Sequence, residues 1–255
     1  MRQLWSKCLA AAGSLSVVGL LSLAALLPTR AAAQTEVDLQ LVLAVDCSGS
    51  VNDVRFDLQK QGYVAAFRNP QVMKAIASGS LQSIAVTFVQ WTGPFDFVQV
   101  VPWTLVNDTA SAQHLADAIA HSERELFGGS GTSISGAIDT GVQLLSQSPF
   151  KSQRRTIDIS GDGANSSGRS VTDARDDAVA KGIGINGLPI LSVEPTLDSY
   201  YFSRVIGGPG AFMIPASSYE NFADAILKKL ILEIAQNEND PAMMGKWGAV
   251  LASKR

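Results

Sequence analysis

The sequence predicts an α/β domain with a three-layer α-β-α, doubly wound architecture, whose mostly parallel six-stranded sheet has one antiparallel edge strand. Apolar, β-rich runs alternate with helix-like runs, which is typical of a parallel sheet with crossover helices. The first run, Val37–Val45, is nearly all apolar, as expected of a central strand buried on both faces. A later pair of runs is joined by residues 92–96 alone, which is too short for a crossover helix and indicates an antiparallel hairpin.

The strands are predicted from short runs rich in β-branched, aromatic and other apolar residues. In chain order they are Val37–Val45, Leu81–Trp91, Phe97–Val106, Arg155–Ser160, Ile183–Leu191 and Ala211–Pro215. The second and third form the hairpin, because Thr92-Gly93-Pro94-Phe95-Asp96 between them is rich in turn-forming residues.

The helices are predicted between these strands. In chain order they are Asp53–Arg68, Thr109–Leu126, a helix from the glycine-rich segment Gly128–Ser133 to Gln147, Val171–Lys181, a short helix at Tyr200–Val205 and a last helix ending at Ala235. Pro70 marks the break after the first of them. Asp108 is the expected N-cap of the second, and Ser217 and Glu220 have capping-box spacing at the start of the last.

Residues 1–33 are predicted to be a secretory signal peptide, which places the protein in the periplasm or outside the cell. Arg2 and Lys7 precede an uncharged run, Cys8–Thr29, and three small residues, Ala31–Ala33, provide a cleavage site before Gln34. An uncleaved membrane anchor is the alternative, because the run is long enough to span a bilayer. After cleavage we expect no membrane span, with one domain at 34–236 and a polar tail at 237–255.

The charge of the mature chain argues against nucleic acid as a partner. The segment removed holds three basic residues and no acidic ones, so 17 basic and 23 acidic residues remain from the 20 and 23 of the full chain. Nucleic-acid binding usually requires a basic face, and no run of Lys or Arg is present. Cys47 is the one cysteine left, so the domain has no internal disulfide, and its apolar neighbours predict a buried, inert thiol.

Oxygen-bearing side chains follow three of the predicted elements. Asp46, Ser48 and Ser50 come directly after the first strand, Thr132 lies in the glycine-rich loop, and Asp162 follows a later strand. Since ligands of open α/β sheets bind at the carboxyl ends of the strands, we expect these five side chains to converge. Two carboxylates and three hydroxyls are hard donors, which suit Mg²⁺ or Mn²⁺.

This arrangement resembles the metal-ion-dependent adhesion site of von Willebrand factor A domains and integrin inserted domains. The resemblance covers about residues 37–236. It implies that Ser48 and Ser50 bind the metal directly, that Thr132 binds it in one conformational state, and that Asp46 and Asp162 act directly or through water. It also implies a protein partner whose acidic group is held through the metal.

A narrower resemblance is to an uncharacterised bacterial group of exported proteins with this domain. It rests on three segments: Leu41–Asp46, Ser160-Gly161-Asp162-Gly163 and Ile206–Phe212. It implies export but supplies no function.

Several residues compete for these roles. Asp158, inside the strand, is an alternative to Asp162, and Ser130 or Ser133 could replace Thr132. Ser50 and Asn52 could be simple helix caps. His114 and His121 lie on one predicted helix without a carboxylate or cysteine partner at metal spacing, so we expect them to be solvated or packed.

An enzyme is the main alternative function. Asp46 and the segment 161–163 also resemble haloacid-dehalogenase-like phosphatases, which use an aspartate nucleophile, a second aspartate two positions on, a lysine and a further acid. Here Ser48 stands at the second position, Ser166 stands where the further acid is expected, and Lys151 is a poor match for the lysine. We therefore expect a binding module and not an enzyme. A structural envelope protein without bound metal is the third possibility.

The signal peptide generates the first prediction. Mass spectrometry of the protein purified from its native source should find Gln34 at the N-terminus, because cleavage is expected after Ala33. A mass that includes residues 1–33 would identify an anchor instead.

Overall fold

The computed structural model describes residues 34–128 and 131–235. The predicted signal peptide, the predicted tail at 237–255, and Gly129 and Ser130 of the glycine-rich loop lie outside the described residues. Within the described ranges, none of the helices combines the length and the apolar character needed to cross a membrane.

The main sheet has five strands, and its central strand is the one predicted from the apolar run. In spatial order they are β4 (Phe97–Val106), β3 (Ile84–Trp91), β2 (Leu39–Asp46), β6 (Arg155–Gly161) and β7 (Gly184–Pro189). All neighbouring pairs are parallel except β3 and β4, which form the predicted hairpin at one edge. A small separate sheet pairs β1 (Thr35–Glu36) with β5 (Phe150–Lys151). The predicted fold class is therefore confirmed.

The predicted sixth strand, Ala211–Pro215, is not a continuous strand. It lies beside β7 and pairs with the end of that strand through two isolated parallel bridges, Gly187 with Met213 and Ile190 with Ala216. The regular ladder is interrupted because Pro189 has no N–H to donate to this segment. The segment still covers this edge of the sheet.

The helices occupy nearly the predicted positions. They are α1 (Asp53–Phe67), α2 (Pro70–Ala77), α3 (Thr109–His121), α4 (Ile134–Ser146), α5 (Val171–Ala180), α6 (Leu197–Tyr200) with a π-helical turn (Tyr201–Val205), and α7 (Phe222–Ala235). Helix α2 was not predicted: Asn69 caps it and Pro70 begins it, because proline is compatible with a first helical turn. Asp108 caps α3 as expected.

Two predicted helix boundaries are wrong. Helix α3 ends at His121 instead of Leu126. The segment after it leaves the helical path because Gln90 bonds the carbonyl oxygen of Glu123 at 2.7 Å and the N–H of Glu125 at 2.7 Å. Ser217 does not form a capping box, since its hydroxyl donates to the Asn221 side chain at 2.6 Å and α7 begins at Phe222.

Apolar cores lie on both faces of the sheet. Alternate residues of β2 point to opposite sides: Leu41 and Leu43 enter the core with α1, α2, α3 and α7, whereas Val42 and Ala44 enter the core with α4 and α5. Every residue of β2 is buried. The strand therefore delivers its last residue, Asp46, to the sheet edge with no contact with bulk water.

A buried ionic cluster joins α7 to the middle of β6. Lys229 Nζ lies 2.7 Å from Asp158 Oδ1 and 3.3 Å from Glu233 Oε1, and all three side chains are buried. Asn186 also donates to Glu233 Oε1, at 2.5 Å. Burial raises the pKa of Glu233 from 4.5 to about 7, although the Lys229 charge opposes the rise. Asp158 thus forms a buried ion pair with Lys229 of α7, and the alternative that placed it in the metal site is wrong.

This cluster generates a prediction for stability. Lys229→Met should destabilise the domain by about 3–5 kcal/mol, because two buried carboxylates then lose their cation. The loss should be larger above pH about 7 than near pH about 5, where protonation can relieve the repulsion. Urea unfolding at both pH values measures it.

The matched control is Lys151→Met. Lys151 pairs with Glu36 at 3.4 Å, and both side chains are more than half exposed. Losing this surface pair should change the free energy of unfolding by no more than about 1 kcal/mol. Equal effects of the two substitutions would contradict the structural role assigned to Lys229.

Candidate metal centre

Three loops meet at the carboxyl edge of the central strands. Asp46 is the last residue of β2, and Asp162 directly follows the neighbouring parallel strand β6. The loop before α4 is held at the same edge, because Ser133 N–H donates to the Thr92 carbonyl oxygen at 2.7 Å and the Thr92 hydroxyl donates to the Gly131 carbonyl oxygen at 3.0 Å. The topology thus brings together the segments singled out from the sequence.

Four of the five predicted ligands form one chain of hydrogen bonds. The backbone N–H of Ser48 donates to Asp46 Oδ1 at 2.7 Å, and the hydroxyls of Ser48 and Ser50 lie 3.3 Å apart. The Ser50 hydroxyl then donates to Asp162 Oδ1 at 2.6 Å. Both carboxylates and Ser48 are buried, whereas Ser50 is exposed, so the cluster opens to solvent on one side.

Thr132 lies beside this chain without joining it. Its N–H donates to the Ser166 hydroxyl at 2.9 Å, and its carbonyl oxygen accepts the N–H of Ser166 at 2.8 Å. A Cβ atom placed on Gly163, next to Asp162, would lie 3.8 Å from Thr132 Oγ1. Ser133 is not its substitute, since the Ser133 hydroxyl caps α4 by accepting the Gly136 N–H at 3.1 Å.

The Asp46 carboxylate has an unusual electrostatic environment. Burial raises its pKa from 3.8 to about 7, against the opposing effect of the hydrogen bonds from Ser48, and the Asp162 charge raises it further. Asp46 Oδ2 and the Tyr201 hydroxyl are both buried and lack a hydrogen-bond partner. Both lie close to Gly161, where an added Cβ would be 2.9 Å from Asp46 Oδ2 and 3.2 Å from the Tyr201 hydroxyl. Glycine at 161 therefore leaves room for these two groups.

The donor set fits a hard divalent cation. An unpartnered carboxylate oxygen, a second carboxylate and serine hydroxyls are oxygen ligands of the kind that Mg²⁺ and Mn²⁺ bind, with waters completing the octahedron. Within residues 34–128 and 131–235 no three His, Cys, Asp or Glu side chains form a metal-binding group. The site is accordingly poor in charge and in soft ligands, which favours a partly hydrated ion.

The sequence analysis missed two residues of the site, Arg55 and Tyr219. Arg55 Nη1 donates to the Ser50 carbonyl oxygen at 2.6 Å and lies 3.6 Å from Asp162 Oδ2, while Tyr219 donates its hydroxyl to the same Oδ2 at 2.8 Å. The Arg55 guanidinium also stacks 5.3 Å from the Tyr219 ring centre. Asp46 and Asp162 were both expected beside the first turn of α1, and two neighbouring acids are a signal for a nearby cation such as Arg55. No local sequence pattern marks Tyr219.

Other candidate residues lie where their simpler roles place them. Asn52 caps α1 by accepting the Arg55 N–H at 3.0 Å. Cys47 is buried, and burial raises the pKa of its thiol to about 12, in agreement with the expected inert state. His114 and His121 are exposed on α3. Lys151 pairs with Glu36 in the small sheet, so it is not the lysine that the phosphatase interpretation requires at the site.

Comparison with known proteins supports the fold. A family model described as "Protein of unknown function (DUF1194)" matches residues 36–238. No curated protein matches the chain. Solved structures with a similar fold include proximal thread matrix protein 1 from the mussel byssus, at TM-score 0.56 and 14% identity over 79% of this chain and 49% of that one.

Two further structures belong to the same set. The pilus adhesin SpaC from Lactobacillus rhamnosus GG has a TM-score of 0.57 and 14% identity, covering 79% of this chain and 31% of that one. The mussel protein with a zinc-occupied MIDAS motif has a TM-score of 0.54 and 14% identity, covering 78% and 46%. This chain thus spans less than half of each neighbour. At such identity the likeness establishes a von Willebrand factor A-like fold.

The buried Asp46 generates a prediction for pH dependence. Its pKa is higher in the folded protein than the ordinary 3.8, so its contribution to metal-free stability should be full below pH about 4 and should be lost as pH rises from there to about 7. Asp46→Asn cannot ionise and should lack this part of the decline. Urea unfolding in chelator across this pH range measures the difference between the two proteins.

Glu233 contributes a decline of the same sign to both proteins, so only the difference between the profiles reports on Asp46. Mg²⁺ requires the ionised carboxylate, and its stabilising effect on the unsubstituted protein should grow as pH rises through about 7. Identical pH profiles for the two proteins would show that Asp46 does not carry the titration.

Proposed function

We propose that this chain, which belongs to the DUF1194 family, is an exported binding module that holds an acidic group of a protein partner through a bound divalent cation. The observation that carries the proposal is the convergence of Asp46, Ser48, Ser50 and Asp162 at one edge of the sheet, where Asp46 Oδ2 is buried without a partner. Burying an ionised carboxylate without a counter-charge is costly, and a cation at this position offsets that cost.

A metal at this site would be held by both serine hydroxyls and the two carboxylates, directly or through water, and we propose that the Thr132 hydroxyl joins them in one conformational state. One of the similar structures is described as having its MIDAS motif occupied by zinc, which supports a divalent cation in this fold. We propose Mg²⁺ or Mn²⁺ for this chain, because its donors are all hard oxygens. The ion would supply an open coordination position for a partner's carboxylate.

Exposed apolar side chains around the site support a partner surface. Four of them lie at this edge of the sheet, one on the first turn of α1 and three on loops: Val54 at 69%, Phe95 at 90%, Leu126 at 80% and Val193 at 50% exposure. These loops contact the site segments through Thr92, through Arg124, which bonds the Val51 carbonyl oxygen at 2.7 Å, and through Glu194, which accepts the Ala164 N–H at 3.1 Å. Apolar groups around a polar centre are typical of protein-binding surfaces.

A binding role is favoured over catalysis by the chemistry of the same residues. Ser48 cannot act as the general acid of a phosphatase, and the exposed histidines on α3 are unavailable as a base. A structural envelope protein without metal would leave the buried Asp46 carboxylate without a counter-charge whenever it is ionised. Localisation outside the cytoplasm is part of the proposal and rests on residues 1–33.

The metal proposal predicts a melting-temperature shift. Mg²⁺ or Mn²⁺ should raise the melting temperature of the chain, since a ligand that binds only the folded state stabilises it by mass action. Asp46→Ala and Ser48→Ala should fold but lose the shift. Asp57→Ala and Ser146→Ala are the matched controls, because these residues are exposed on α1 and α4, and both should keep it.

Capture from the envelope fraction then tests the binding role. A partner should be retained in Mg²⁺, released by chelator and lost with Asp46→Ala. Metal shifts that persist in Asp46→Ala and Ser48→Ala would exclude the assigned ligands. A partner retained equally in chelator would place recognition on another surface, and phosphorylation of Asp46 during turnover would make the protein an enzyme.

A further inference from the structure

Arg55 forms an ion pair with one acid of the candidate metal centre, and its contacts are divided between that acid and two other groups. Its Nη1 bonds the Ser50 carbonyl oxygen at 2.6 Å, whereas the distance to Asp162 Oδ2 is 3.6 Å. The guanidinium rests on the Tyr219 ring at 5.3 Å, and its side chain is 34% exposed. Arg55 thus neutralises Asp162 by charge without the short paired bonds of a permanent Arg–carboxylate bridge.

The position of Arg55 is not explained by helix stability. It is the third residue of α1, counted from the first helical residue Asp53, and a cation in the first turn is unfavourable because the helix dipole is positive there. Helix α1 already has Asn52 as a cap and Asp53 as an acid at this end. The site, and not the helix, therefore accounts for the placement of Arg55.

We infer that Arg55 is the resident counter-cation of the site, which competes with the divalent metal for Asp162 and thereby sets the metal affinity. This inference rests on the proposed function. When both carboxylates are ionised, as metal binding requires, they carry with Arg55 a net charge of one negative unit, whereas without it they carry two. A divalent cation is attracted more weakly to the first arrangement, and it also repels the guanidinium directly.

Metal binding then has a consequence for Arg55 itself. The ion weakens the pull of Asp162 on the guanidinium, which can move into solvent because its side chain is already one-third exposed. The guanidinium would remain on the first turn of α1, next to Ser50, where a partner's group bound to the metal could reach it. Together the two cations form a site for an anionic group, and a carboxylate matches both the metal and the fork of an arginine.

The test is a Mn²⁺ titration of the full chain, followed by the electron paramagnetic resonance signal of the free ion. Arg55→Gln should bind Mn²⁺ on the order of tenfold more tightly than the unsubstituted chain, as expected when one positive charge is removed a few ångströms from a divalent ion. The gain should shrink as ionic strength rises, because the side chain is partly exposed. In chelator, Arg55→Gln should melt at a lower temperature, since it loses its contacts with Ser50 and Tyr219.

Arg55→Gln should raise the Mn²⁺ affinity and lower the metal-free stability, and these opposite changes distinguish the inferred role from a purely structural one. A residue that merely held the loop would, when replaced, lower both metal-free stability and metal affinity. Arg68→Gln is the matched control: Arg68 lies at the far end of α1 and pairs with Asp117 at 2.6 Å, so it should leave Mn²⁺ affinity unchanged. Tyr219→Phe keeps the ring and the charge of the site, and should alter the affinity by less than Arg55→Gln does.

Three results would overturn the inference. If the unsubstituted chain binds Mn²⁺ and Arg55→Gln binds it no more tightly, the competition is rejected while the proposed function stays intact. An equal gain in Mn²⁺ affinity in Arg68→Gln would show that the gain comes from the overall charge of the protein and not from the position of Arg55. Absence of Mn²⁺ binding by both the unsubstituted chain and Arg55→Gln would reject the proposed function, and the inference with it.

Discussion

Asp46 ends a strand that is buried on both faces, so its carboxylate reaches the sheet edge without access to bulk water. The rest of the site follows from the need to accommodate that group. The turn after the strand directs the Ser48 N–H to one carboxylate oxygen, and glycine at 161 makes space for the other. Asp46 Oδ2 is left without a hydrogen-bond donor. Burial raises the pKa of the Asp46 carboxyl to about 7. A nearby positive charge would therefore stabilise the ionised form of Asp46.

The neighbouring strand, β6, has one acid within it and another directly after it, and the two acids are neutralised in different ways. Asp158 lies within the strand, where Lys229 from α7 supplies a cation that is itself fully buried and has no route to solvent. Asp162 lies at the edge, where its cationic neighbour Arg55 is partly exposed and makes a longer contact. The first arrangement attaches a helix to the sheet. The second pairs the acid with a cation that is partly exposed, which is the basis of the competition with a metal ion that we infer.

Local patterns were sufficient for much of this architecture. The apolar run of β2, the short hairpin connection and the cap at Asp108 each predict an element from neighbouring residues, and the ordering of the loops predicted which side chains converge. Patterns failed where two outcomes share the same local signal. Pro70 both ends one helix and begins the next. Asp158 and Asp162 differ only in where the strand carries them, which becomes visible once α7 is packed. Tyr219 enters the site from a distant segment, and that contact exists only in the tertiary structure.

Cys47 adds a practical consequence to the way this edge is built. The chain has two cysteines, and Cys47 is the one that follows the predicted cleavage site. Its thiol is buried beside Trp91, whose carbonyl oxygen lies 3.3 Å from Sγ. A domain with a single thiol needs no oxidant to reach its native state, and its folding is independent of the redox state of the compartment. That thiol is also a native reporter: a sulfhydryl reagent can react with it only when the strand end opens, so labelling kinetics report the opening of the site itself.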